Sequence, residues 1–372
     1  MTKREMNIRI FQREEIPYPF FQPRIESWLH WHRQFNKLPD RYKDYTLLEL
    51  YDDLDISMRY VAYYTGMPNP VDIEYADTVK IGNIQKNREE MLTVIETPFG
   101  ELVREMKLAS DGNWRTSESP IKRKEDVRKA RWVFEHTRYH FVEEYFDQGS
   151  QFIGERGEPQ FFLPRSPYQT LHVDSSWMTL EGLVYALTDY PQEIEDLMKA
   201  IDSSYDTLYE EIIAHKDKVK IVNFGENIDS LLLSPKYLEG YLIPFYEKRS
   251  NQLRDNGIYT HIHIDGHFRS ILKYLKDLPF DGLEALTPLP QGDVSIEEMK
   301  ESIGDKILLD GIPALLFLPT YSEEELHQCV EKIVKLFHPD LVLGISDEIP
   351  EGVGEEGIER VRWISEYCKS FR

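Results

Sequence analysis

The chain has 372 residues, 41% of them hydrophobic and 30% charged, which supplies a sizeable core and excludes wholesale disorder. Forty-four Lys and Arg stand against 66 Asp and Glu, and the resulting net charge of −22 repels both a phosphate backbone and an anionic bilayer. Cys329 and Cys368 are the two cysteines, so a disulfide framework is excluded in practice, and no apolar run reaches the ~18 to 20 residues that a membrane span needs.

The N-terminal residues MTKREMNIRIFQREE interrupt their few apolar positions with charge and carry no export signal, so a cytoplasmic protein is expected. A Pro-punctuated, extended arm over residues 9–24 leads into helical text. Val79–Ile95 and Glu101–Leu108 then flank a turn at Thr97-Pro98-Phe99-Gly100, which predicts antiparallel strands. No Gly/Ser/Pro-rich linker separates this region from the remainder of the chain, so residues 1–155 are expected to form an N-terminal elaboration with the first core elements, and 156–372 the main portion, of a single domain over 1–372.

Beyond about residue 158 short apolar strands alternate with amphipathic helices, the sequence form of a parallel sheet with crossover helices. Strands are expected near Gln160–Pro164, Val219–Phe224, Tyr259–Ile264, Leu283–Leu286, Ile307–Leu309 and Leu341–Ile345. Between the first two, Ile194, Leu197, Met198, Ile201, Tyr205, Leu208 and Ile212 recur at helical spacing behind Pro191, with Asp189 as the candidate N-cap. Ser295 with Glu298 and Ser322 with Glu325 read as capping boxes, the first helix ending at Gly304.

Polar residues able to do chemistry gather at the C-terminal ends of these strands. Glu226 follows one. His261, His263, Asp265 and His267 occupy the next and its exit, and Glu284, Asp293, Asp310 and Asp347 sit at or beyond the later ends. Alternation along a strand puts His261, His263 and Asp265 on one face, and imidazole with carboxylate is a donor set for a divalent metal. Plainer roles stand beside these. His261 suits a hydrogen-bonded core residue as well as a direct role, His267 a cap or surface position, Glu226 a helix cap, and Asp293 a cap on the turn before Ser295.

Residues 226–272, with the acidic strand end Glu226, the Ser234-Pro235 helix start, a long helix, the Gly257 turn and His263-Ile264-Asp265-Gly266, resemble the uroporphyrinogen decarboxylase superfamily. So do Gly292-Asp293, Gly304-Asp305-Lys306, Leu309-Asp310-Gly311-Ile312-Pro313 and Ser346-Asp347-Glu348-Ile349-Pro350. The likeness covers residues 158–370; residues 24–60 and the Thr97–Gly100 turn look more loosely like corrinoid-dependent methyltransferase subunits such as those of O-demethylases. The resemblance implies an α/β fold, a (β/α)₈ TIM barrel, with an N-terminal helical and antiparallel β-hairpin elaboration.

Superfamily members that methylate thiols carry His-x-Cys and a later Cys as zinc ligands. Here the matching positions are His263, Asp265 and Asp347, and carboxylates make a harder site, suited to polarising a substrate oxygen. The resemblance thus implies zinc or a similar divalent metal on Glu226, His263, Asp265 and Asp347, with Glu284, Asp310 and His261 as catalytic residues. It also implies a small methyl donor and a corrinoid, a cobalamin carried by a partner protein; a homodimer is compatible with it.

Tetrapyrrole decarboxylation is the alternative, and a non-catalytic binding protein on the same barrel is a second. Against the former, Arg24, Arg33 and Arg41 lack the Gly-Arg pair of the decarboxylases. The neighbouring text is aromatic, with Trp28, Trp31, Tyr51, Tyr60, Tyr63 and Tyr64 either lining the mouth for a flat substrate or serving as core.

Overall fold

Runs such as Ile221–Phe224 and Leu341–Ser346 are buried at every residue, as strands covered on both faces by helices must be. In a computed structural model that describes residues 1–110 and 112–371, they belong to one of two compact units. The first comprises Met1–Pro70, Val142–Leu163 and the chain from His215 onward; the second comprises Val71–Phe141 and Pro164–Ala214.

The first unit opens with β1 (Phe20–Phe21). The second then supplies β2 (Val71–Tyr75), β3 (Lys80–Gln85), β4 (Glu90–Thr97), β5 (Gly100–Leu108), β6 (Trp114–Glu118) and β7 (Thr137–Phe141). The first unit resumes with β8 (Phe162–Leu163), β9 (Ile221–Phe224), β10 (Tyr259–His263), β11 (Gly282–Glu284), β12 (Ile307–Pro313) and β13 (Leu341–Ser346).

Seven parallel strands of the first unit run in the order β1, β13, β12, β11, β10, β9, β8. The extended segment 57–61 closes the ring between its two ends. Ser57 N–H donates to Phe21 O (3.2 Å), Gln160 N–H to Arg59 O (3.0 Å) and Val61 N–H to Gln160 O (2.9 Å). The fold is therefore a TIM barrel with helical and hairpin additions. Met6, Ile10 and Phe11, from the helix Lys3–Phe11, pack on Phe20, Ile221 and Ile307, the first residues of their strands, and plug the N-terminal end. Functional groups are left to the opposite end.

In the second unit β2 pairs with β7, and β3 to β6 form an antiparallel sheet. Two expectations change here. Val79–Ile95 is itself a hairpin, because Asn87 Oδ1 accepts the Glu89 N–H (2.8 Å) and turns the chain between β3 and β4. The helix expected through 194–212 is two, Pro191–Ser204 and Asp206–Ala214. Its N-cap position is Tyr190, since Asp189 ends the preceding helix Leu180–Asp189. Both capping boxes form, and Gly304, at φ 63°, stops the first of those helices. Among the described residues no helix is long and apolar enough to cross a membrane.

Three consecutive strands carry a non-glycine residue in the left-handed region: Ala285 (φ 62°) and Asp347 (68°) just past β11 and β13, and Asp310 (73°) within β12, which runs on to Pro313 so that Asp310 lies inside the strand and not at its expected end. Such conformations persist where surrounding contacts dictate them. Gly344 leaves the space for Asp310, because a Cβ there would lie 2.3 Å from Asp310 Oδ1 and 3.0 Å from Gln22 O. Gly344→Ala should therefore cost about 1–3 kcal/mol. Chemical denaturation measures this, and an unchanged midpoint would show that Asp310 can move aside.

Candidate active site

Arg59, 1% exposed, comes from the closing segment and reaches the centre of the barrel. Nη1 binds Glu284 Oε1 (2.6 Å), Nη2 binds Asp310 Oδ1 (2.8 Å) and Nε donates to Gln22 Oε1 (2.9 Å). One guanidinium thus joins the end of β11 and the middle of β12 to the residue that follows β1. The Tyr60 hydroxyl donates to Glu284 Oε1 (2.6 Å), and Asn223 Nδ2 donates to Oε2.

Burial pushes the Glu284 carboxyl up, but Arg59, His261 and His263 together hold it well below the usual range. Asp310 accepts from both Nη1 and Nη2 of the same cation, yet burial and the neighbouring Glu284 charge take it up to about 6. Glu284 therefore stays ionised throughout the physiological range, while Asp310 takes up a proton as the pH falls toward about 6.

His261 and His263 face the same way, as strand alternation requires. His261 is fully buried; its Nε2–H donates to Gln160 Oε1 (2.8 Å) and its Nδ1 lies 3.4 Å from Glu284 Oε2. Burial lowers its pKa, so it is a neutral imidazole anchored on Gln160 behind Glu284. His263 lies one step nearer the mouth, with Nδ1 3.6 Å from Glu284 Oε2 and Nε2 3.9 Å from Asp347 Oδ1. Burial opposes its charged form, yet Glu284 more than offsets this and the pKa rises.

At the rim Arg24, 3% exposed, binds both the main-chain oxygen and the carboxylate of Asp347. Its guanidinium lies 5.5 Å from the Tyr63 ring and 5.9 Å from Tyr60. Tyr60 stacks on Phe162 (4.2 Å between centroids), and the Tyr63 hydroxyl donates to Glu348. Asp265 is half-buried, and burial, with Asp347 and Asp229 nearby, raises its pKa.

Glu226 is buried just past β9, its N–H donating to Phe224 O (2.8 Å). Asp293 caps the turn at Phe268 and Arg269 (3.1 and 3.3 Å), not the one before Ser295, because that helix already has its Ser295–Glu298 box. His267 is on the surface, 3.9 Å from Asp229. Of the aromatic run, Trp28 and Tyr51 are core, while Tyr60 and Tyr63 reach the site.

Arg59, Gln22, Gln160 and Asn223 are not singled out by the sequence. The signal for Arg59 is a lone cation in the run Ile56-Ser-Met-Arg-Tyr-Val61, with two buried acids elsewhere in need of one.

Among the described residues no group of three or more His, Cys, Asp or Glu side chains stands ready around a metal position. One edge has suitable chemistry. His263 Nε2 and Asp347 Oδ1, 3.9 Å apart, are close to the roughly 3.3 Å between two donors of a tetrahedral zinc, and Asp265 supplies a third oxygen of the right kind. The residues therefore fit a divalent ion once Asp347 is released from Arg24.

No protein-family profile and no curated protein matches the chain. Among solved structures it is similar to a methyltransferase from Methanosarcina mazei, with a TM-score of 0.61 at 12% identity over 99% of both chains. That likeness shows a shared fold. A B12-independent methionine synthase from a Shewanella species aligns at TM-score 0.46 and 13% identity over 87% of this chain and 84% of its own. A putative one from Listeria monocytogenes aligns at 0.40 and 10% over 94% and 95%.

Arg59→Met should lower stability by about 3–5 kcal/mol in urea unfolding, since it strands buried acids, and Arg59→Lys should restore part of this. A loss within error for Arg59→Met would remove it as the organising contact. In NMR titration His263 should show a midpoint above the ordinary 6.5 that falls in Asp347→Asn, while His261 stays neutral to lower pH. Identical midpoints for the two rings would contradict the arrangement.

Proposed function

We propose that the barrel is a methyltransferase that moves a methyl group from a small donor, of the aryl methyl ether type, to a corrinoid carried by a partner protein. The observation that carries this reading is the placement of His263 at a strand end, between the ionised, buried Glu284 and the rim carboxylate Asp347. Methyl transfer from an ether leaves the bond's electron pair on oxygen, and a phenolate departs slowly unless that charge is neutralised. Glu284 favours the protonated imidazole, so His263 can hold a proton at the leaving oxygen and deliver it as the bond breaks.

The stacked Tyr60–Phe162 pair, with Tyr63, supports a flat donor. Arg59, Tyr60 and Asn223 fix Glu284 so that His263 has one orientation. A zinc ion held by His263, Asp265 and Asp347 would supply a Lewis acid at the same oxygen in place of the imidazolium proton.

The tetrapyrrole decarboxylase alternative has one observation in its favour, the buried Arg24 guanidinium at the rim. A substrate bearing many carboxylates would there meet Asp265, Asp347 and Glu348, and Arg24 is already paired with Asp347.

The test is methyl transfer from aryl methyl ethers to a reduced corrinoid protein. His263→Gln should lower the rate by about 10²- to 10⁴-fold with little change in melting temperature. Asp265→Ala should lower zinc content, expected at about one per chain, together with the rate. Wild-type turnover by His263→Gln, or no transfer from any ether tried, would overturn the reading; full activity in the zinc-free protein would remove the metal from it.

A further inference from the structure

The second unit encloses a cavity of about 410 Å³ on its own, within the range of sites that take small organic molecules. Its wall is aromatic and branched aliphatic, with Tyr75, Phe134, Tyr139 and Trp177 among Ile and Val side chains. Arg104, from β5, and Arg165 also line it. No lining residue is acidic, in a chain where Asp and Glu outnumber Lys and Arg by 66 to 44.

The two arginines are only partly engaged by the fold. The buried Nε of each has no hydrogen-bond partner. Arg165 has a long pairing to Asp174, 3.7 Å, whose side chain is 78% exposed. Arg104 lies close enough to Tyr75 for its charge to act on the phenol. A guanidinium N–H removed from water and given no acceptor is unfavourable, and native structures rarely keep one without a use. The acceptor best matched to its planar fork is a carboxylate.

We propose that this cavity binds a small aromatic carboxylate, the ring against Phe134, Tyr139 and Trp177 and the carboxylate on Arg104 and Arg165. The site is independent of the barrel chemistry, since every residue in it lies in the second unit. Apolar walls bury the ring and two cations without a competing acid select the charge, so an uncharged molecule of the same shape loses the larger part of the recognition.

The full chain should bind 1-naphthoate, read by isothermal titration and by Trp fluorescence, at least about tenfold more tightly than the isosteric neutral 1-naphthamide. Arg104→Gln and Arg165→Gln should each remove most of that preference and leave the amide unaffected; Arg104→Lys should keep part of it. His263→Gln, in the barrel, should leave naphthoate binding unchanged. Because Arg104 is not part of a folding contact, Arg104→Gln should melt no lower than wild type. Equal affinity for acid and amide, binding that survives both Gln substitutions, or loss of binding in His263→Gln would overturn the proposal. So would an Arg104→Gln protein that melts well below wild type yet binds naphthoate normally.

Discussion

Arg59 is a cation sealed from water at the centre of the barrel, and three staves meet on it. Its charge stabilises two acids that could not both be ionised without it, and its planar fork ties the end of β11 to the middle of β12. Glu284 is the beneficiary, because it also receives the Tyr60 hydroxyl and the Asn223 amide. Only a carboxylate so fully engaged can stay charged in such a place, and only a charged Glu284 raises the affinity of His263 for its proton. The ordering runs outward from a structural ion cluster to the group at the mouth.

The two units distribute charge in opposite ways. At the barrel mouth carboxylates outnumber cations, with Asp265, Asp347 and Glu348 gathered around Arg24 and His263, so the mouth favours a proton, a metal or a neutral aromatic over an anion. The cavity of the second unit lacks acids and presents guanidinium groups. A net charge of −22 describes neither place.

Six of the seven barrel strands were legible in the sequence as short apolar runs, with the ends of β9, β10 and β13 within two residues of expectation, whereas β1 was read only as part of an extended arm and β12 runs four residues past its expected end. The alternation that put His261 and His263 on one face needed no tertiary information. What was hidden was pairing over long separations. Nothing local ties Arg59 to Glu284 and Asp310, 225 and 251 residues away, or Arg24 to Asp347, 323 away. The closing segment was also missed, since its regular pairing rests on one bridge, Tyr60 to Gln160. The hairpin of β3 and β4 was read as one stretch because its turn is made by Asn87, without glycine or proline.

Residues 20–21 pair with residues 342–343, so the first strand of the barrel in the sequence lies beside the last. During synthesis the edge of Phe20 and Phe21 that pairs with β13 stays unsatisfied until Val342 and Leu343 have been made. The second unit is threaded through the interval in two visits, one before β8 and one after it. Assembly therefore has a high contact order, with slow closure and a long-lived open sheet in which an aromatic edge invites pairing with another molecule. The helix Lys3–Phe11, built with its own capping box at Thr2 and Glu5, is the one element next to that edge able to form at once, and it carries the apolar face that later plugs the barrel. Early shielding of the aromatic edge by this helix would give the N-terminal turn a protective part in biogenesis as well as a packing one.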